Sequence, residues 1–129
     1  MQRRASVLIA DDHPLVSHGL RELLRSTYTV VGTVGDGREV HDAVERLKPD
    51  VLLLDLSMPQ MDGMEVLFLL REKAPETKVV VLSGFGRDRL APLALELGAA
   101  QYVEKGVDGP RLRRVVLAVH EDTPAPRAA

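Results

Sequence analysis

The stretch Val51-Leu52-Leu53-Leu54-Asp55 constrains the fold more than any other part of the chain. Four consecutive apolar residues leave no polar face. A strand of this kind is covered on both sides, as the inner strands of a parallel sheet are. The run ends in a carboxylate, and ligands of open parallel sheets bind outside the carboxyl ends of the strands. Asp is also a common turn residue, so Asp55 taken alone is more simply read as the start of a turn before Met58-Pro59.

Similar runs recur on either side. Val7-Leu8-Ile9-Ala10 ends in Asp11-Asp12, Lys78-Val79-Val80-Val81-Leu82 ends in Ser83-Gly84, and Gln101-Tyr102-Val103-Glu104 is followed by Lys105-Gly106. The β-branched segment Thr29 to Val34 reads as a further strand. Helical patterns lie between them. Pro14 suits a first helical position, and Val16, Leu20, Leu23 and Leu24 form one stripe. Asp36 and Glu39 have capping-box spacing ahead of Val40, Ala43, Val44 and Leu47, a pattern running to Lys48-Pro49. Asp62 and Glu65 open a helix that runs through about Lys73. Pro92 lies in the next helical pattern and costs a donor unless it falls in the first turn. That places the helix start at about Leu90, with a loose front, and its end before Gly98. Asp108 precedes a last helix carrying Leu112, Val115, Val116 and Val119.

Strands alternating with helices predict an α/β fold with right-handed crossovers. The expected architecture is a doubly wound, five-stranded parallel sheet of order 2-1-3-4-5 flanked by five helices, with strands one and three adjacent at the switch point. Asp11 and Asp12 then lie beside Asp55, and Ser83 and Lys105 reach the same edge. Turn preference alone does not explain five polar groups ending apolar strands.

Composition excludes several classes. A chain of 129 residues with 45% apolar and 28% charged residues is sized for one domain. Its net charge of -2 gives no basic field for nucleic acid. With no cysteine there is no disulfide, thiolate metal site or cysteine nucleophile. The apolar run after Arg3 and Arg4 is too short for a secretory signal, and none approaches membrane-spanning length. The expectation is a soluble cytoplasmic domain over residues 1–120, with 121–129 as a Pro/Ala-rich linker or frayed tail.

Three close carboxylates repel unless one keeps its proton or a cation joins them. Oxygen donors suit a hard ion such as Mg²⁺. A divalent ion, an ammonium and a hydroxyl around one carboxylate form a receptacle for a phosphoryl group, whose transfer needs mainly positioning and charge neutralisation. A carboxylate can itself be the nucleophile. His13, His18, His41 and His120 lack metal-ligand spacing, and His13 reads as a helix-entry residue near the site. Arg111, Arg113 and Arg114 read as a solvated helix face, and Met58, Met61 and Met64 as filler.

On Asp11-Asp12, the stretch Asp55-Leu56-Ser57-Met58-Pro59-Gln60-Met61-Asp62-Gly63, Ser83-Gly84 and Lys105, the sequence resembles the receiver domain of bacterial two-component response regulators. The likeness runs from about Ser6 to Val119. Asp11-Asp12-His13-Pro14-Leu15 with His18-Gly19-Leu20 resembles the branch whose receivers precede a helix-turn-helix DNA-binding domain. The resemblance implies a flavodoxin-like fold and Asp55 as phosphoacceptor from a sensor histidine kinase. It implies Mg²⁺ (or Mn²⁺) held by Asp12, Asp55 and the Ser57 carbonyl, with Asp11 acting through water. Ser83 and Lys105 would bind phosphoryl oxygens, Tyr102 would be the aromatic switch, and Ser57 and Phe85 would tune the lifetime of the phosphorylated state. Gly106 departs from the family, many of whose members have proline there.

The implied function is a signalling switch that changes its interaction surface and regulates transcription through an output domain outside this chain, with DNA contacted only by that domain. It is not an enzyme beyond its own phosphorylation and dephosphorylation. A homodimer through the fourth helix, fifth strand and fifth helix, or through the last helix, is compatible with it; a membrane partner is not expected. The alternatives are a stand-alone receiver or phosphorelay intermediate, and a pseudo-receiver that binds partners without phosphorylation. A phosphatase with an aspartyl intermediate is disfavoured because position 57, where such enzymes often carry a second carboxylate, is serine.

Overall fold

The computed structural model describes residues 4–58, 62–84 and 87–121, with 87–90 as backbone only. Five strands alternate with five α-helices: β1 Ser6–Ala10, α1 Pro14–Leu24, β2 Thr29–Val34, α2 Val40–Leu47, β3 Val51–Asp55, α3 Gly63–Lys73, β4 Lys78–Ser83, α4 Arg87–Glu96, β5 Gln101–Glu104 and α5 Gly109–Glu121. The sheet is parallel throughout, in the order β2-β1-β3-β4-β5. The expected doubly wound architecture is therefore observed.

The central strand behaves as its sequence demands. All five residues of β3 are buried. Alternation along a strand sends successive side chains to opposite faces, and each face has its own core. Leu52 and Leu54 pack with Leu8, Val81 and Tyr102 against residues of α2, α3 and α4, including Val44, Leu67, Leu70 and Ala94. Val51 and Leu53 pack with Val7, Ile9 and Val80 against residues of α1 and α5, including Leu24, Leu112, Val116 and Val119. Because both faces are covered, polar groups on β3 have only the strand end at which to meet solvent or a ligand.

Caps explain most helix boundaries. Pro14 opens α1. Asp62 closes the start of α3 by accepting from the Met64 and Glu65 amides. Asp108 accepts from the Arg111 amide ahead of α5. Gly98 follows α4 at φ 116°, a left-handed conformation suited to glycine.

Three boundaries differ from the sequence expectation. Asp36 is not half of a capping box: it accepts from the Arg38 amide and caps a 3₁₀ turn, Gly37–Glu39, so that α2 begins at Val40. α4 begins at Arg87, not at about Leu90, which leaves Pro92 inside the helix. Proline there forfeits the bond to the carbonyl four residues back, while Ala91 and Ala94 of the same helix are buried in the core. α5 reaches Glu121, one residue past the expected domain limit. Residues 122–129 of the expected tail lie outside the described residues.

Candidate functional site

The strand register brings the polar residues to one rim. Ala10 pairs with Leu54, so Asp11 and Asp55 are the next residues on adjacent strands. Asp55 pairs with Leu82, which puts Ser83 one step further along β4. The Lys105 amide donates to the Ser83 carbonyl at 2.8 Å, extending the β4–β5 ladder to the same edge. Residues separated by up to 94 positions thus converge because parallel strands end together.

Asp55 is fully buried, and both its oxygens are engaged. Its Oδ1 accepts from the Ser57 amide at 2.9 Å and from the Ser57 hydroxyl at 2.7 Å. Its Oδ2 accepts from Lys105 Nζ at 3.0 Å. Lys105 Nζ also lies 3.5 Å from Asp11 Oδ2. Burial alone would push the Asp55 carboxyl up, but the Ser57 and Lys105 hydrogen bonds and the lysine charge outweigh it and hold its pKa below the ordinary value. For Lys105, burial works downward, and the bond to Asp55 with the charges of Asp11 and Asp55 turns the net shift upward. Asp55 is therefore an ionised carboxylate at neutral pH, the form a nucleophile needs.

Asp11 uses the same local device as Asp55. Its Oδ1 accepts from the amide two residues on, that of His13, at 2.8 Å, an Asx turn. This turn brings His13 over the cluster: Nδ1 lies 3.2 Å from Asp11 Oδ1, 3.1 Å from Asp12 Oδ1 and 3.9 Å from Asp55 Oδ2. Asp11, Asp12, His13 and Asp55 each offer one ligand atom, all within 4.8 Å of one another. Asp11 Oδ2 and Asp12 Oδ1 are buried, and the nitrogen atoms facing them are Lys105 Nζ at 3.5 Å and His13 Nδ1 at 3.1 Å. Carboxylate oxygens gathered this closely repel one another, and a divalent cation joins them. The donor set thus fits a metal ion.

Of the residues singled out in the sequence, Asp11, Asp12, Asp55, Ser57 and Lys105 are in mutual contact or near it. Ser83 is buried at the same strand edge. Tyr102 is buried within the sheet face that packs on α4, alongside Ala91 and Ala94, more deeply than the half-buried strand aromatic it could have been. Phe85 lies outside the described residues, as do Pro59, Gln60 and Met61 of the central motif. The Ser57 hydroxyl as a donor to Asp55 was not anticipated, and His13, read from the sequence as a helix-entry residue near the site, has its imidazole within the cluster itself. Their common signal is position, two residues after a strand-terminal Asp, where an Asx turn places the next backbone amide.

Two expectations follow from this geometry. Ser57→Ala removes the shortest bond to Asp55. Asp55, with its lowered folded-state pKa, contributes stability above the unfolded carboxylate pKa of about 3.9 and loses it as pH falls through the folded value. In Ser57→Ala the folded value rises, so the loss begins at higher pH; a ¹³C titration of the Asp55 carboxyl reads this directly. Gly106 follows Lys105 at φ 95°, and the Val107 amide bonds the Glu104 carbonyl at 3.3 Å. Lys105 and Gly106 are thus the two central residues of a four-residue turn whose third position needs positive φ. A Cβ at Gly106 would meet nothing within 4 Å, so only φ opposes substitution. Gly106→Ala is expected to cost about 1–2 kcal/mol, and Gly106→Pro more, since proline fixes φ near -65°. Urea unfolding measures both.

Comparison with known proteins agrees with this geometry. Residues 7–117 match the family model described as the response regulator receiver domain. The chain is 38% identical over 109 residues to the nitrate/nitrite response regulator protein NarL of Escherichia coli K12, covering 83% of this chain and 50% of that protein. It is 37% identical over 101 residues to the transcriptional regulatory protein YdfI of Bacillus subtilis, covering 77% and 47%. The chain therefore spans about half the length of these relatives. Among solved structures, the REC domain of AraT, a response regulator from Geobacillus stearothermophilus, superposes with a TM-score of 0.82 at 37% identity, covering 92% of this chain and 95% of that one. No helix among the described residues is long and apolar enough to cross a membrane. With its strand order, its acidic rim and a family match over nearly its whole length, this chain belongs to the response regulator receiver domains.

Proposed function

We propose that the chain is a phosphorylation-controlled switch in which Asp55 accepts a phosphoryl group from a sensor histidine kinase. The observation that carries this reading is the state of Asp55: wholly buried, held ionised, and faced by Lys105 at 3.0 Å at the end of the central strand. As a receiver the chain is a phosphoacceptor and not a classical enzyme. Mg²⁺ or Mn²⁺ would be held by Asp12, Asp55 and the Ser57 carbonyl, with Asp11 reaching it through water. When bound, the ion supplies charge neutralisation for the phosphoryl oxygens.

The protein's own groups supply the rest. Asp55 attacks the phosphorus as a carboxylate, and its acyl phosphate forms as the P–N bond to the kinase histidine breaks. Lys105, already paired to Asp55 and Asp11, transfers its donors to the new phosphoryl oxygens. Ser83, buried at the adjoining strand end, donates to another. Phosphorylation adds nearly two negative charges and three acceptors at this point. Only a difference in how Ser83 and Lys105 hold that group in two conformations can shift the population between them. Tyr102 packs in the same cluster as Ala91 and Ala94 of α4, so α4 and β5 form the face through which the change reaches partners. The output is regulation of transcription through a domain beyond this chain, as the name of the Bacillus subtilis relative suggests.

Intact mass after incubation with acetyl phosphate tests the reading. One phosphoryl group is expected with Mg²⁺, none with chelator and none in Asp55→Ala. A protein that stays unmodified with Mg²⁺ present would support a pure interaction module instead.

A further inference from the structure

The receiver reading needs only oxygen ligands from this chain, yet an imidazole sits among them. His13 Nδ1 has carboxylate oxygens of Asp11 at 3.2 Å and Asp12 at 3.1 Å, with Asp55 Oδ2 at 3.9 Å. The Asx turn from Asp11 Oδ1 to the His13 amide, at 2.8 Å, fixes the backbone from which the ring projects. Pro14 follows at the first position of α1, so φ of the next residue is also fixed.

The charges call for a cation. Asp11, Asp12 and Asp55 carry three negative charges when ionised, and Lys105 returns one. The remaining two are balanced by one divalent cation. His13 Nδ1 faces the same basin as Asp11 Oδ2, on a side chain only 1% exposed, and Asp12 Oδ1, and each of these residues offers one ligand atom to it. Imidazole nitrogen is a poor ligand for Mg²⁺, which keeps oxygen and water around it. It is a good ligand for later first-row ions, whose affinity for such sites rises from Mn²⁺ towards Cu²⁺ and stays high for Zn²⁺.

We propose that His13 is a nitrogen ligand of this site and biases it from Mg²⁺ towards imidazole-accepting divalent ions such as Mn²⁺ and Zn²⁺. The inference rests on the cluster being a metal site, as the proposed function has it, and adds a specificity-determining residue. The site's ion then follows the supply of transition metal as well as that of Mg²⁺.

The test uses the whole chain at mildly alkaline pH, because metal ligands bind in their deprotonated forms. Pulsed electron paramagnetic resonance of bound Mn²⁺ is expected to show ¹⁴N modulation in the parent protein and in His41→Phe. The His41 control is needed because His41, Asp42 and Glu45 form a separate, partly exposed group. The modulation is expected to vanish in His13→Phe and His13→Gln, while Mn²⁺ still binds. By competition, the preference for Zn²⁺ over Mg²⁺ is expected to fall at least about tenfold in the same two variants. Mn²⁺ that binds without ¹⁴N modulation, or keeps it in the His13 variants, overturns the assignment and leaves the oxygen site standing. Failure of every divalent ion to bind overturns both.

Discussion

Lys105→Met is expected to cost the metal-free protein about 3 kcal/mol at neutral pH, with most of it restored by millimolar Mg²⁺. Lys105 Nζ is the positive group bonded to Asp55 and close to Asp11, whose side chains are 0% and 1% exposed. Removing one partner of a buried pair typically costs about 3–5 kcal/mol because the other charge is left uncompensated. The lower end applies because Lys105 itself keeps 21% of its side chain exposed. The effect should follow pH in a defined window. Asp55 has a lowered pKa, so its part of the pair is complete above about 3.9 and fades as pH falls through the folded value. Lys105 has a raised pKa, so its part is complete below about 10.4 and fades as pH rises through the folded value. Between these limits the variant should fall short. A divalent ion replaces the missing charge and stabilises by mass action. Urea unfolding with and without Mg²⁺ reads both effects. A deficit that Mg²⁺ leaves untouched would mean that lysine serves the fold and not the site.

Leu53→Ala is expected to cost about 3–4 kcal/mol, a large share of the stability of a domain this size. Leu53 is fully buried on the face of β3 covered by α1 and α5, in the cluster that holds Leu24, Leu112 and Val116. Neither helix can move onto the vacated space without leaving other contacts, so a cavity remains. Leu53 is an apolar side chain packed on the α1 and α5 side of the sheet, away from the rim, so phosphoryl uptake per folded molecule should not change. Calorimetry or denaturant unfolding measures the first effect and intact mass the second. A loss under about 1 kcal/mol would mean that the central strand is less tightly held than its burial indicates.

Much of this was legible in the sequence, for a physical reason. Strands buried on both faces cannot hide among polar residues, so β1, β3 and β4 were bounded by composition alone. Pro14 and Asp62 marked helix starts because each satisfies or removes an orphan amide. The family resemblance supplied the expectation of a phosphoacceptor and a metal, and the register brings Asp11, Asp12, Asp55 and Lys105 together. What was not legible depends on local competition. Pro92 suggested a late helix start, but burial of Ala91 and Ala94 accompanies a helix that runs through it. Asp36 bonded the nearer amide and formed a 3₁₀ turn. Spacing rules for metal-binding histidines look for histidine pairs, so His13, a single imidazole placed by an Asx turn, escaped them. The Ser57 hydroxyl escaped because the resemblance gave that residue other duties.

The chemistry at the end of β3 can be located residue by residue. Acyl phosphates are reduced by borohydride, which converts a phosphorylated aspartate to homoserine. Protein treated with acetyl phosphate and Mg²⁺, reduced and mapped by peptide mass spectrometry, should carry homoserine at position 55 and aspartate at 11 and 12. Homoserine at 11 or 12, or modification that leaves Asp55 intact, would contradict the assignment of the nucleophile.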